Sequence, residues 1–254
     1  MGIFNTKHFC MRKIPLVLII AFFVQAAAAQ TAFNIDVGGS GTTNGYGIVR
    51  VNNPSALGQK MADDVNYEDI TGTPYFNTRW NAAIIILAGN MAVKVDKAKL
   101  NFYTGNLHYV DSAGKELIAD PSVVKKIFFL DSRDTLKTIA VFQQISGLQD
   151  KQPTAFIQVL NSGKVELLKL TRIVLGSRGY NTLKGKDEYS FQHKESYYVV
   201  NDGVVNVLKA LNKDAVTAVV PPNTAAENWL DTNKNKLKTE ADIISFFAYF
   251  NANN

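Results

Sequence analysis

Between Tyr75 and Lys209 the chain is cut into short apolar runs by turn-forming residues, at a spacing of roughly 8 to 15 residues. That rhythm constrains the fold more than any other feature, because parallel strands need crossover connections of a dozen residues or more. Ala82 to Leu87 is apolar on both faces, as a central strand is, and Gly89-Asn90 turns it into Met91, Val93 and Val95. Leu100 and Phe102 lead through Thr104-Gly105-Asn106 into Leu107 to Val110, and Asp111 to Gly114 turns again into Lys115 to Ile118. Asp120-Pro121 reads as the cap and first position of a single helical turn. Val124 to Leu130 and Thr135 to Phe142 flank a turn at Asp131 to Asp134. Phe156 to Leu160 meets Val165 to Leu175 across Asn161-Ser162-Gly163, and Tyr197 to Val200 meets Val204 to Leu208 across Asn201-Asp202-Gly203.

About ten strands joined this way imply an antiparallel meander. The period then changes. Asn212 to Val220 reads as a short helix stopped by Pro221-Pro222. Thr224 with Glu227 has the capping-box spacing and opens a helix from Ala225 to about Lys234. Thr239 caps a last helix whose Ile243, Phe246, Phe247 and Phe250 make one apolar face that packs on the sheet. The expected fold is α+β, mainly β: an antiparallel β-meander, curled or partly closed into a barrel, with about three C-terminal helices.

Residues 31 to 66 differ. Gly38, Gly39, Gly41, Gly45 and Gly47 fall within ten residues, and ordering such a stretch costs much backbone entropy. It reads as a linker with one short strand at Ile48 to Val51, followed by a turn at Asn52-Asn53-Pro54. The glycines do not make a phosphate loop, since no Gly-Lys-Ser/Thr follows and Asn44 breaks the dinucleotide pattern. Before it, Lys7, Arg12 and Lys13 precede the apolar run Ile14 to Val24 and the alanines Ala26 to Ala29, the three parts of a secretory signal. Eleven apolar residues span about 16 Å as a helix, too short for a hydrocarbon core of about 30 Å. Cleavage is expected before Gln30, with Met11 an alternative start. The organisation is therefore a signal peptide at 1–29, a Gly-rich segment at 30–66, a β domain at 67–209 and a helical cap at 210–254.

The same reading sets the compartment and limits the partners. Gly2 with Thr6 fits a myristoylation pattern that an export signal contradicts. Cys10, the only cysteine, precedes the apolar run, so no lipoprotein anchor is expected. Export leaves 24 basic against 22 acidic residues and no thiol, so neither nucleic acid nor a disulfide framework is expected. No membrane helix is expected after cleavage; the partner is not identified by the sequence, with a protein or glycan of the envelope as the candidates.

Several segments, taken in order, resemble uncharacterised exported proteins of the Bacteroidota. They are Tyr67 to Phe76 followed by Trp80, Lys99 to Gly105, Phe156 to Leu168, and Lys236 to Asn251. The resemblance covers roughly residues 65 to 252. It implies a shared compartment and fold, and no catalytic residue or cofactor.

Chemistry-bearing residues are few. His108 and His193 are the only histidines after residue 29, and two imidazoles without cysteine fall short of a zinc set. His193 and Glu195 share a strand face and could form an acid–base pair, though a solvated charge pair is the commoner outcome. Gly39-Ser40-Gly41 lacks the framework of a nucleophile elbow. Asp231, Asn233, Asn235 and Asp242 start like a calcium loop, but Lys236 stands where glycine is needed. Asp63, Asp64, Asn66, Glu68 and Asp69 carry enough charge for calcium, but Asp69 takes the glycine position. Tyr75, Phe76 and Trp80, and Phe102, Tyr103 and Tyr109, could offer rings to a ligand, while cross-strand packing is their usual role.

No catalytic, cofactor-binding or metal residues are assigned. The expected role is a non-catalytic structural or binding module of the bacterial envelope, periplasmic or extracellular. A polymer-directed hydrolase using carboxylates from separate strands, and a carrier of a small apolar ligand, are the alternatives.

Overall fold

The computed structural model describes residues 49–50, 57, 60–61, 67, 70–145, 156–233 and 237–253. The stretch read as a signal peptide, most of the Gly-rich segment and the acidic run at 63–69 lie outside them, apart from Tyr67. Among the described residues thirteen strands join one mixed sheet that does not close, and three helices follow. The strands are β1 (Val49–Arg50), β2 (Lys60–Met61), β3 (Ile70–Thr71), β4 (Asn81–Leu87), β5 (Met91–Asn101), β6 (Asn106–Val110) and β7 (Glu116–Ile118). Then come β8 (Val124–Leu130), β9 (Thr138–Gln144), β10 (Phe156–Asn161), β11 (Val165–Asn181), β12 (Lys186–Asn201) and β13 (Val204–Leu208).

The spatial order is β13-β12-β11-β10-β9-β8-β4-β5-β6-β7-β2. Local hairpins dominate, as the turn chemistry requires. Asp202 and Gly203 both have positive φ, at 49° and 79°, the geometry of a two-residue hairpin turn between β12 and β13. The order departs from a plain meander at β8, which returns to pair with β4 after the β5–β6–β7 excursion. Two short strands pair in parallel, β1 with β5 and β3 with β12, which makes the sheet mixed. Within the stretch read as a linker, β1 and β2 join the sheet, and Leu57 is fully buried in the main core.

The sheet curls around an aromatic core. Phe102, just past β5, and Phe142, on β9, have ring centroids 5.8 Å apart. Three strand spacings would separate them by about 14 Å in a flat sheet. Phe76 fills the space between, 5.0 Å from Phe142, 5.4 Å from Phe129 and 6.2 Å from Phe102.

The helices cover the other end of the sheet. They are α1 (Lys213–Thr217), α2 (Thr224–Thr232) and α3 (Glu240–Ala252). Thr239 and Asp242 form a reciprocal capping box at α3. Ile243, Phe246, Phe247 and Phe250 are all fully buried against Val165, Leu167, Val199 and Leu208. The expected box at Thr224 is not formed: α2 begins one residue earlier, with the Asn223 side chain accepting from the Ala226 N–H at 3.4 Å. The Asp120-Pro121 step forms a hydrogen-bonded turn leading straight into β8.

Near its end α3 is pinned to the β10–β11 turn. The Asn251 amide donates to Asn161 Oδ1 at 2.7 Å and to the Val165 carbonyl at 2.8 Å, and its oxygen accepts from the Val165 N–H at 3.0 Å. Gly163 makes this approach feasible, since a β-carbon there would collide with the Asn251 side chain.

Candidate functional site

The feature that stands apart from the body is the far part of β11 and β12. Near their base these strands are flanked by β10, whose register with β11 reaches Lys169, and by β13, whose register with β12 starts at Tyr197. Beyond those points they run on as a two-stranded ribbon to a turn at 182–185. Among the described residues only β3 pairs with the ribbon there, at Tyr189 and Ser190.

A strap fixes the root of this arm. From β3 the chain crosses to the end of β5, where Phe76 donates its N–H to the Leu100 carbonyl and Phe102 donates to Pro74. In sheet order β12 and β5 are six steps apart, so the strap spans the open mouth of the curl. Tyr67 packs edge-on against Phe191 at 5.4 Å and Tyr103 at 6.5 Å, and its hydroxyl accepts from the Asn101 amide at 3.2 Å. Arg178 donates to Thr71 Oγ1 at 2.9 Å, tying the arm to the strap.

A polar cluster lies on the sheet face that the helices cover. The Lys169 ammonium is 2.7 Å from Glu240 and 3.6 Å from Glu195. The Tyr197 hydroxyl is 2.7 Å from Glu240 and 3.0 Å from Glu195. Burial, then the hydrogen bonds to Glu240 and Glu195, push the Tyr197 phenol well above its ordinary value of 10.0. Two carboxylates therefore meet around one phenol and one ammonium, and the group joins α3 to the sheet.

The residues flagged from sequence are placed as follows. Glu195 is in this cluster, while His193, on the same strand face, is exposed. His108 is buried, with Nδ1 2.7 Å from Glu116, and it stands edge-on to Tyr75 at 6.0 Å. The Tyr75 and Trp80 rings are both covered by the Lys99 ammonium, at 5.1 and 4.8 Å, so those faces are engaged within the chain. Burial lowers the Lys99 pKa. Phe76, Phe102 and Tyr109 belong to the core, and Tyr103 to the root of the arm.

Asp242 is used in the capping box, and Asp231 sits 3.7 Å from Lys213. Asn235 and Lys236 lie outside the described residues, as do Ser40 and Asp63. Among the described residues no group of three or more His, Cys, Asp or Glu side chains could hold a metal ion. No helix among them is long and apolar enough to cross a membrane.

No known family, curated protein or solved structure matches the chain.

The arm is what sequence reasoning missed. Residues 176–190 carry Gly176, Gly179 and Gly185 among polar side chains, and the apolar strand signal fades after Leu175. A usable sign was present: Tyr180, Tyr189 and Phe191 fall on one face of a hairpin about a turn at Thr182 to Gly185, and Leu175 joins that face only through the bulge at Ser177/Gly179.

Proposed function

We propose that this chain is an exported, non-catalytic binding module of the bacterial envelope, periplasmic or extracellular, and that the β11–β12 arm is its working surface. The arm carries the reading. It extends past its flanking strands, is braced by the strap, and exposes large apolar side chains that a purely structural hairpin would bury. The export signal and the resemblance to exported Bacteroidota proteins support the compartment.

The carrier reading has less support, because the inner side of the curl is filled by Phe76, Phe102, Phe129 and Phe142. A gap lined by Leu100, Phe102, Gly105, Phe156 and Thr171 holds about 20 Å³, against the ~300 Å³ of a ligand pocket. The hydrolase reading finds its best candidate pair in Glu195 and Glu240, but both are engaged by Lys169 and Tyr197.

Cell fractionation tests the proposal. The full chain is compared with a variant in which Ser177 to Tyr189 is replaced by an Asn-Gly turn. The proposal expects the full chain with the envelope and the shortened chain, still folded, in the soluble fraction. Identical distribution would overturn it, as would polymer or ester turnover abolished by Glu195→Gln or Glu240→Gln alone.

A further inference from the structure

We infer that the arm docks on the surface of an anionic lipid bilayer, with Leu183 entering the acyl boundary and Tyr180 and Tyr189 at headgroup level. This rests on the arm being the working surface and names its partner.

The ribbon is two-faced. In the cross-strand register Leu175 is opposite Phe191, Ser177 opposite Tyr189 and Tyr180 opposite Asp187, so these pairs share one face. The other face carries Gly176 with Ser190, Gly179 with Glu188 and Asn181 with Lys186. On the first face Leu175, Tyr189 and Tyr180 are 40, 42 and 63 % exposed, rising to 98 % for Leu183 at the apex. The apolar stripe thus becomes barer toward the tip.

The apex is also held in shape. Asn181 Oδ1 accepts from the backbone N–H groups of Leu183 at 3.0 Å and Lys184 at 3.1 Å, and the Asn181 carbonyl accepts from Gly185 at 2.8 Å. Glu188 receives the Asn181 amide at 2.8 Å and the Lys184 ammonium at 2.9 Å. A side chain presented on a fixed turn loses less conformational entropy on docking than one on a loose loop.

Size and charge select the occupant. The stripe from Leu175 to Leu183 is about 27 Å long and about 10 Å wide. That is roughly 270 Å², a third of the ~800 Å² per partner in a stable protein interface. A second copy or a folded partner would be held poorly by this stripe alone. A bilayer asks for a few apolar side chains, amphipathic rings at the boundary and a positive balance nearby. From Thr171 to Glu195 the arm has five basic and three acidic residues, a surplus of two that equals the whole surplus of residues 30–254. Anionic headgroups complement it.

The test is flotation with vesicles of phosphatidylcholine alone or with roughly 30 % phosphatidylglycerol. The chain is used as recovered from the producing cell in its processed form. Expected is binding to the anionic vesicles that falls about ten-fold in Tyr180→Ser/Leu183→Asp and weakens in high salt. The exposure of both residues predicts an unchanged melting temperature, which verifies that the variant is folded. Equal flotation of the two proteins, or equal binding to neutral vesicles, overturns the inference. So does a wild-type dimer that the double variant dissolves without any lipid binding; that result would keep the arm as a binding surface and make a second copy its partner. Fractionation with the shortened arm decides separately whether the binding-module reading stands.

Discussion

The same two strands live in two environments. At their base, Val165, Leu167 and Val199 are fully buried beneath α3, with β10 and β13 on either side. Some ten residues further along, Leu175, Tyr180 and Tyr189 are 40 % exposed or more, although the hairpin ladder between the strands continues unbroken except for one bulge at Ser177/Gly179. Backbone pairing is therefore not what separates core from surface here. Packing from neighbouring segments is, and it outlasts the flanking strands as far as Leu170, Ile173 and Phe191, which are still buried. An isolated two-stranded hairpin is marginal in water, so the arm depends on its braced root.

The contrast can be broken most sharply from the base. Phe246 is fully buried, 5.3 Å from Trp229 and 5.4 Å from Phe247, and Phe246→Ala should destabilise the protein by about 3–5 kcal/mol in urea unfolding. Next is Asn251→Ala. It leaves Asn161 and the Val165 backbone without their partner, and should cost about 1–3 kcal/mol by the same measurement.

A smaller effect should appear only in alkali. Ionisation of Tyr197 is opposed in the folded state, so above about pH 10 the unfolded chain gives up this proton first. The stabilising contribution is complete below that pH and drains away as pH rises toward the folded-state value. Tyr197→Phe should accordingly flatten the loss of stability above pH 10, and a 295 nm titration should show one fewer late-ionising phenol. Smallest of all, Leu183→Asp should shift stability by no more than about 0.5 kcal/mol. A large loss there would mean that the tip is packed after all, and the two regions would no longer differ.

Much of the body is legible in the sequence because its signals are local. Gly89-Asn90, Asn161 to Gly163 and Asp202-Gly203 each turn a strand back on its neighbour, and the Ile243–Phe250 stripe gives α3 its buried face. What escapes is set by distance along the chain. The return of β8 to β4 follows no turn signal. The Lys169–Glu240 contact joins residues 71 positions apart, so neither one advertises the other. Nothing in the sequence of the strap says that it pairs with β12. Asn223 takes the cap expected of Thr224 because either side chain can accept a helix-end N–H, and spacing alone does not choose between them.

The strap has a mechanical consequence. Its backbone pairs side by side with Tyr189 and Ser190 at one end and is bonded to Leu100 and Phe102 at the other. A tug on the hairpin's free end would thus load the β3 pairing in shear and pass through Pro74 into the end of β5. The force would be shared across both margins of the sheet before it reached the helices.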